Sequence, residues 1–359
     1  MPKLPGVFLI LTILSTAVYA QHATISDKEA LETGHYIDSV TSGGSPAALS
    51  HFIDFDSLLW NVQKMIPELN NPAYLRAFRK GMFESIGDFG VRLASAATGG
   101  SYRLLKEYTK GGTKHLLFRA YGNKGLNYYD YSLIKVGDTI KASDVFIFTV
   151  DENFSSTVST VAKTMVASSD LKMSETERSV ARLKELRDQK AYAAAKDVYD
   201  KLDKPLKESK PVQVGYIDIC HHLGDSLYEK SLEHFAESFP DAPSTYLMMI
   251  DLYYLKKNFA KGLTAVDKLD SIVGKDPFLD LFRGNFCKLS GKRDESLVCY
   301  ERLYRTDPTL AINTRTLITT YAQAGRYDDG KKVIGEYKKT AGFRQEDLDK
   351  LYSNFPSLK

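Results

Sequence analysis

The stretch AGRYDDGKKVIGEY, Ala324 to Tyr337, stops one helix-like run at Gly325, restarts at the aromatic Tyr327, and then sets Gly330, Ile334 and Tyr337 on one helical face. The rhythm recurs. Steps of 34, 34, 34 and 33 residues back from Gly330 reach Ser296, Gly262, Tyr228 and Ala195, small residues in all but one case. Four positions after these references come Tyr199, Leu232, Val266, Tyr300 and Ile334, and seven after come Leu202, Phe235, Leu269, Leu303 and Tyr337. Nine before them lie Leu186, Ile219, Tyr253, Cys287 and Tyr321. A fixed period with a helical face inside each unit means a repeated pair of antiparallel helices. The small residue lets two helix backbones approach to about 8–10 Å. Gly291 and Gly325 stand where the first helix of a unit must stop, and Pro240, Pro277 and Pro308 fall where the second cannot continue.

This pattern resembles the tetratricopeptide repeat family over about Glu175 to Phe343, roughly half the chain. The unit TRTLITTYAQAGRYDDGKKVIGEY carries Leu317, Tyr321, Gly325, Tyr327 and Gly330 at family positions, whereas the unit before it departs with Asp280, Arg283 and Arg293. The resemblance implies an all-α superhelical array whose first helices line a concave groove for a protein or peptide partner. Projected onto that face, the register gives Leu247, Asp251, Tyr254, Leu281, Asn285, Lys288, Arg315 and Thr319. Of these, Asp251, Tyr254, Asn285, Lys288, Arg315 and Thr319 are the candidate partner-binding residues. The peptide-carboxylate clamp of some family members needs Lys and Asn at leading positions held here by Leu247 and Asp251, so that specificity is not expected.

The N-terminal half has another pattern. NPAYLRAFRKGMFESIGDFGVRLA reads as a helix with Tyr74, Phe78, Met82, Ile86 and Phe89 on one stripe, begun by Asn71 before Pro72. From Ser101 the period changes to two. Strand-like runs cover Tyr102 to Thr109, His115 to Tyr121, Leu126 to Lys135 and Ile140 to Val150, separated by KGGT, GNKG and VGD, each with the glycine a tight hairpin uses. The expectation is an α+β domain, helices plus a four-stranded antiparallel meander. Its element order and length resemble the cystatin-like α+β fold of the nuclear-transport-factor and ketosteroid-isomerase superfamily, which implies a cone-shaped pocket between sheet and helices. Strand three places Tyr128 and Asp130 on one face and Tyr129 and Tyr131 on the other. Asp130 beside Tyr128, with His115 or Glu107 on neighbouring strands, would be raw material for a general base and a hydroxyl donor.

The first residues, MPKLPGVFLILTILSTAVYAQ, hold one cation, an apolar run and Val18-Tyr19-Ala20 before Gln21, the form of a cleaved export signal. The apolar part, about 11 residues, is shorter than the ~20 that span a bilayer. Removing Lys3 lowers the formal charge from +3 to +2, a balance that does not suggest nucleic acid. The three cysteines, Cys220, Cys287 and Cys299, are too few for a disulfide framework; Cys287 and Cys299 would sit as two half-buried thiols. The pair His221-His222 has Asp218 and Asp225 one turn away, but adjacent helical positions point about 100° apart and do not ligate one ion together.

The chain therefore divides into a signal peptide (1–20), an α+β cystatin-like domain (21–165), a linker (166–176), about five helical repeats (177–343) and a C-terminal capping helix and tail (344–359). The leading expectation is an exported protein, periplasmic or secreted, without enzymatic activity or cofactor, its mature chain not inserted in a membrane. The alternative is a small-molecule-binding or proton-transfer enzyme using the pocket of the N-terminal domain. The halves are expected to fold separately, divided near Val166 to Ser179.

Overall fold

The computed structural model of the chain describes residues 24–42, 47–87, 90, 93, 100–122, 125–169 and 175–359. The signal segment Met1 to Ala20, the side chain of Ile86, and Phe89 lie outside the described residues. Among the elements the structure describes, the first helices are α1 (Asp27–Ser42), α2 (Ala47–Phe52), α3 (Phe55–Met65) and α4 (Pro72–Gly87). Ser26 and Glu29 begin α1 with a capping box, the Ser26 amide donating to Glu29 at 2.9 Å and the Glu29 amide to the Ser26 hydroxyl at 3.2 Å. Lys135 also donates to Glu29 at 2.9 Å, joining helix to sheet. These bonds, with that from Lys135 foremost, hold the Glu29 carboxyl at about 2 against an ordinary 4.5. Because the folded value is the lower one, its stabilising effect should be present above about pH 4.5 and fade as pH falls toward 2. Glu29→Gln should flatten that part of an acid-unfolding profile, and an NMR titration of Glu29 with a midpoint near 4.5 would contradict the assignment.

The meander follows as β1 (Ser101–Lys110), β2 (Thr113–Gly122), β3 (Gly125–Val136) and β4 (Thr139–Ile147), each pairing antiparallel with the next. Two features depart from the sequence reading. A short fifth strand, β5 (Glu152–Asn153), pairs with β4, so the sheet has five strands rather than four, and a further helix, α5 (Phe154–Ser169), follows it. The two-residue β5 is too short to show a period, and α5, though 16 residues long, is made largely of Ser, Thr and Val, which have little intrinsic preference for a helix. Asp144 of β4 accepts from the Ser155 amide at 3.1 Å and so caps the start of α5. Alternation sorts the sheet residues: Leu116, Phe118, Ala120, Tyr129, Tyr131 and Leu133 pack with the helices in one core, whereas Leu117 and Tyr128 leave by the other face.

The rest is helical hairpins: α6 (Glu175–Asp188) with α7 (Tyr192–Asp200), then a short α8 (Lys204–Lys207); α9 (Lys210–Leu223) with α10 (Asp225–Ser238); α11 (Pro243–Leu255) with α12 (Phe259–Val273); α13 (Asp280–Leu289) with α14 (Arg293–Thr306); and α15 (Ala311–Gln323) with α16 (Tyr327–Tyr337), closed by α17 (Gln345–Asn354). Residues at the predicted core positions four and seven after each reference are all buried. The backbone repeats as well. Positive φ occurs at Lys190, Gly224, Lys257, Gly291 and Gly325, one per hairpin turn, 33 or 34 residues apart. At four of these turns an amide reaches back five residues: Ala191 to Leu186, Asn258 to Tyr253, Lys292 to Cys287 and Arg326 to Tyr321. That is the Schellman closure, and its acceptors are residues the period had marked. Four turns of one geometry, and a fifth at Gly224 with φ +131° in the same register, make five hairpins, whatever the weaker sequence match of the first two. Gly325 has φ +73° and open space where a Cβ would stand, so Gly325→Ala should cost about 1 kcal/mol from backbone strain alone. Lys257→Gly, which relieves the same strain at φ +54°, should be neutral or stabilising in the same urea titration.

Of the expected linker, residues 166–169 still belong to α5, 175–176 already belong to α6, and 170–174 lie outside the described residues. The expectation that the halves fold separately does not fit the contacts across them. Leu117, Tyr128 and Phe148 share one buried cluster with Ile250, Val266, Leu269, Val273 and Leu279 of the hairpins. Within the contact, Arg119 donates to Asp276 at 2.7 Å and the Tyr128 hydroxyl donates to Asp276 at 3.0 Å. The sheet is thus covered on both faces, by its own helices and by the array.

Candidate binding groove and the buried sheet cluster

The first helices of the hairpins carry the projected groove residues at equivalent positions, but their surroundings differ along the array. Leu281 is buried with the core of the last hairpins, and Leu247 is half-buried against the cluster that includes the sheet. Those two apolar positions are therefore not free. On α11, Tyr254 is 53% exposed. Asp251, one turn earlier, accepts from the Tyr228 hydroxyl at 3.0 Å. It is solvent-accessible yet surrounded by neighbouring side chains, and that desolvation pushes its carboxyl pKa up, with the Tyr228 bond and the charge of His221 opposing.

On α13, Asn285 accepts from the Tyr300 hydroxyl at 2.8 Å, and Lys288 is half-buried, its ammonium pKa lowered by desolvation and then by Arg293. On α15, Arg315 donates to Asp347 of α17 at 2.8 Å, and the Thr319 hydroxyl donates to the Arg315 carbonyl at 2.8 Å. Asp347 also takes Arg344; burial raises its pKa, but the Arg344 bond and the charge of Arg315 outweigh that and the net shift is downward. Asn285 and Arg315 are thus committed to holding hairpins and cap together, while Asp251, Tyr254 and Lys288 keep groups open to a partner.

The polar cluster expected around Asp130 forms with a different hydroxyl. Asp130 is buried, His115 Nδ1 lies 3.0 Å from its Oδ1, and the Tyr108 hydroxyl donates to its other oxygen. Burial, with the Asp130 bond and charge adding to it, pushes the Tyr108 phenol well above its ordinary range. Tyr128 stands two residues from Asp130 on the same face, but its hydroxyl goes to Asp276, and Glu107 pairs with Lys114 at 2.6 Å. The cluster also sits on the array side of the sheet, not in the space between sheet and helices. That space is filled, among the described residues, by Tyr102, Phe118 and Tyr131, the Tyr102 ring stacked on Phe118 at 4.9 Å and its hydroxyl donating to Tyr131 at 3.0 Å.

The histidine pair does not converge. His222 Nδ1 meets the Asp218 carbonyl at 2.8 Å rather than its carboxylate, and His221 lies edge-on to Tyr228 with ring centroids 4.9 Å apart. Among the described residues no group of three His, Cys, Asp or Glu side chains could hold a metal ion. All three cysteines are free and buried, so Cys287 and Cys299 lie deeper than the half-buried thiols expected of them; burial raises the thiol pKa values, that of Cys299 to about 11. Among the described residues no helix is long and apolar enough to cross a membrane.

Sequence reasoning did not find Asp276, Arg119 or Tyr108. The only local signal at Asp276 is Asp before Pro277, which marks a turn; its side chain does accept from the Phe278 amide at 3.0 Å, but nothing local says that Arg119, 157 residues earlier, will meet it.

Neither the family models nor the curated proteins give a match to this chain. Among solved structures it is similar to a thermophilic TPR protein in Thermus thermophilus, at 17% identity and a TM-score of 0.36, over 51% of this chain and 98% of that one. A likeness so slight carries no weight, and the tetratricopeptide-like character of the C-terminal half rests on its own five turns and buried repeat positions.

Proposed function

We propose that the chain is an exported interaction protein without enzymatic activity, binding a protein or peptide partner along the first helices of its repeat array. The observation that carries this reading is the five-fold recurrence of the hairpin turn, because such arrays present one helix face per repeat as a continuous surface. Asp251, Tyr254 and Lys288 are the groups on that face with capacity left over for a partner. The α+β domain we read as kin to the cystatin-like superfamily, used here as a cover for the array. The full chain, matured at Gln21 and used as bait in the envelope or culture-medium fraction, should retain a partner that the double variant Asp251→Lys/Tyr254→Ala releases. Retention of the same partner by the folded variant would remove the groove from consideration, and an exported protein still starting at Met1 would refute the cleaved signal.

One observation favours the second reading, an enzyme or small-molecule binder in the N-terminal domain: Asp130 is held between a histidine and a tyrosine. Against it stands the packing of Tyr102, Phe118 and Tyr131 between sheet and helices, where the family pocket would lie. If Asp130→Asn leaves partner binding intact, the cluster serves the packing of sheet against array.

A further inference from the structure

We propose that a cleft at the start of the array binds an elongated amphiphile, a hydrocarbon chain bearing one acidic group. The cleft lies between β5, α5 and the preceding turn on one side and α6 and α9 on the other, is open to solvent along one side, and has a volume of about 930 Å³. That is within the ~300–1,000 Å³ of pockets that bury most of a small ligand. Its apolar lining comes from Val150, Val180, Leu183, Val212, Val214 and Ile219. Lys210 at the start of α9 pairs with Asp151, whose φ is +55°, so the two walls are tied together beside the cleft.

The charged residues of the lining decide the ligand class. Glu152 accepts from the Thr157 hydroxyl at 2.7 Å, Glu185 takes Arg182 at 2.7 Å and Gln189 at 3.0 Å, and Arg187 pairs with Asp188 at 3.3 Å and Asp218 at 3.9 Å. Lys184 is exposed and has no ion pair or hydrogen bond among the described residues. Lys184 is the cation of the lining without a carboxylate partner among the described residues, and beside apolar walls it suits one acidic head on an apolar body, with the head at Lys184 and away from Glu152, which only the Thr157 hydroxyl meets. An extended peptide fits less well, because its backbone amides and carbonyls would be buried against side chains that offer them no partners. A hydrocarbon chain has no such groups. The site is separate from the Asp251 and Tyr254 face, so it stands or falls independently of the partner proposed above.

The test uses the full mature chain with oleic acid and oleyl alcohol as probes, below their aggregation limits, by calorimetry or displacement of a fluorescent fatty acid. Wild type should bind both saturably at one site, the acid more tightly. A Cβ at Gly215, which lies within α9, meets only Arg187 Nη1, at 3.4 Å, so Gly215→Leu can send its side chain into the cleft without disturbing the helix. It should weaken both probes at least about tenfold, equivalent to about 1.4 kcal/mol. Lys184→Gln should weaken oleic acid several-fold and leave oleyl alcohol unchanged. If Gly215→Leu does not fold, Val180→Phe blocks the cleft from α6 and must give the same loss. Absence of saturable binding by wild type, or unchanged binding by a folded blocking variant, overturns the proposal. An effect of Lys184→Gln equal for both probes overturns the acidic-head assignment. Tyr254→Ala should bind oleic acid as wild type does, and a loss there would place the ligand on the partner face instead.

Discussion

Asp276→Ala in the full chain should cost about 3–5 kcal/mol in urea unfolding, the range for removing one member of a buried ion pair. The Asp276 side chain is fully inaccessible and that of Arg119 is 6% exposed, so water cannot replace the lost partner. Three donors lose their acceptor together: Arg119, the Tyr128 hydroxyl and the Phe278 amide. Arg119 keeps only its place over the Phe278 ring, 4.4 Å from the centroid, and a long contact to Ser101. Among the described residues its Nε already lacks a partner, so the charge has no second arrangement to fall back on there. The double variant Arg119→Met/Asp276→Leu should recover most of the loss, because a buried pair is expensive to break but not intrinsically better than good apolar packing. A cost under about 1 kcal/mol for Asp276→Ala would mean that sheet and array separate readily. In that case the two halves should also unfold in distinct transitions.

The second large effect concerns glycines inside the hairpins. A Cβ at Gly284 would stand 2.3 Å from the Tyr300 ring, and one at Gly262 would stand 2.5 Å from the Phe286 ring. Both rings are buried, and Tyr300 is pinned by its hydroxyl bond to Asn285 and by Asn313 on its carbonyl. Gly284→Ala and Gly262→Ala should therefore be destabilising by about 1–3 kcal/mol even though alanine favours a helix by up to ~1 kcal/mol over glycine. Gly330 is the contrast. Its added Cβ meets the Leu358 methyl at 2.8 Å, the end of a flexible side chain near the C-terminus, with Tyr321 next at 3.8 Å. Gly330→Ala should be close to neutral, whereas Gly330→Leu, which must also displace Tyr321, should cost about 1–3 kcal/mol. Equal tolerance of alanine at all three positions, read by chemical denaturation of the full chain, would contradict this order.

The repeat was legible because everything that defines it is local. Helix period, hairpin turn and the small residue at the crossing all lie within 34 residues, and an error in one unit is corrected by the other four. The start of each second helix, at Tyr192, Asp225, Phe259, Arg293 and Tyr327, sits three residues before each reference, so the restart read at Tyr327 holds for every unit. The meander was legible for the same reason, since alternation and glycine turns act over a few residues. The periodic pattern put Tyr128 and Asp130 on one sheet face and left His115 and Glu107 as alternatives on neighbouring strands; the register, with Leu117 opposite Asp130, is what brings His115 to the carboxylate.

What tertiary structure decided is which surface covers each face and which partner each polar group takes. Strand alternation makes both faces of β3 rich in tyrosine, so it cannot say that one face will meet helices and the other the array. Tyr128 turns to Asp276 because the array brings a buried carboxylate across 148 residues, which leaves Asp130 to Tyr108 and His115. Arg315 lies where the register put it, but α17 supplies Asp347 and takes its charge out of the groove. The cleft at the start of the array exists only where β5 and α5 lie against α6 and α9. A sequence specifies local geometry through short-range sterics and hydrogen bonds, whereas the pairing of two distant polar groups depends on the desolvation that only the assembled fold imposes.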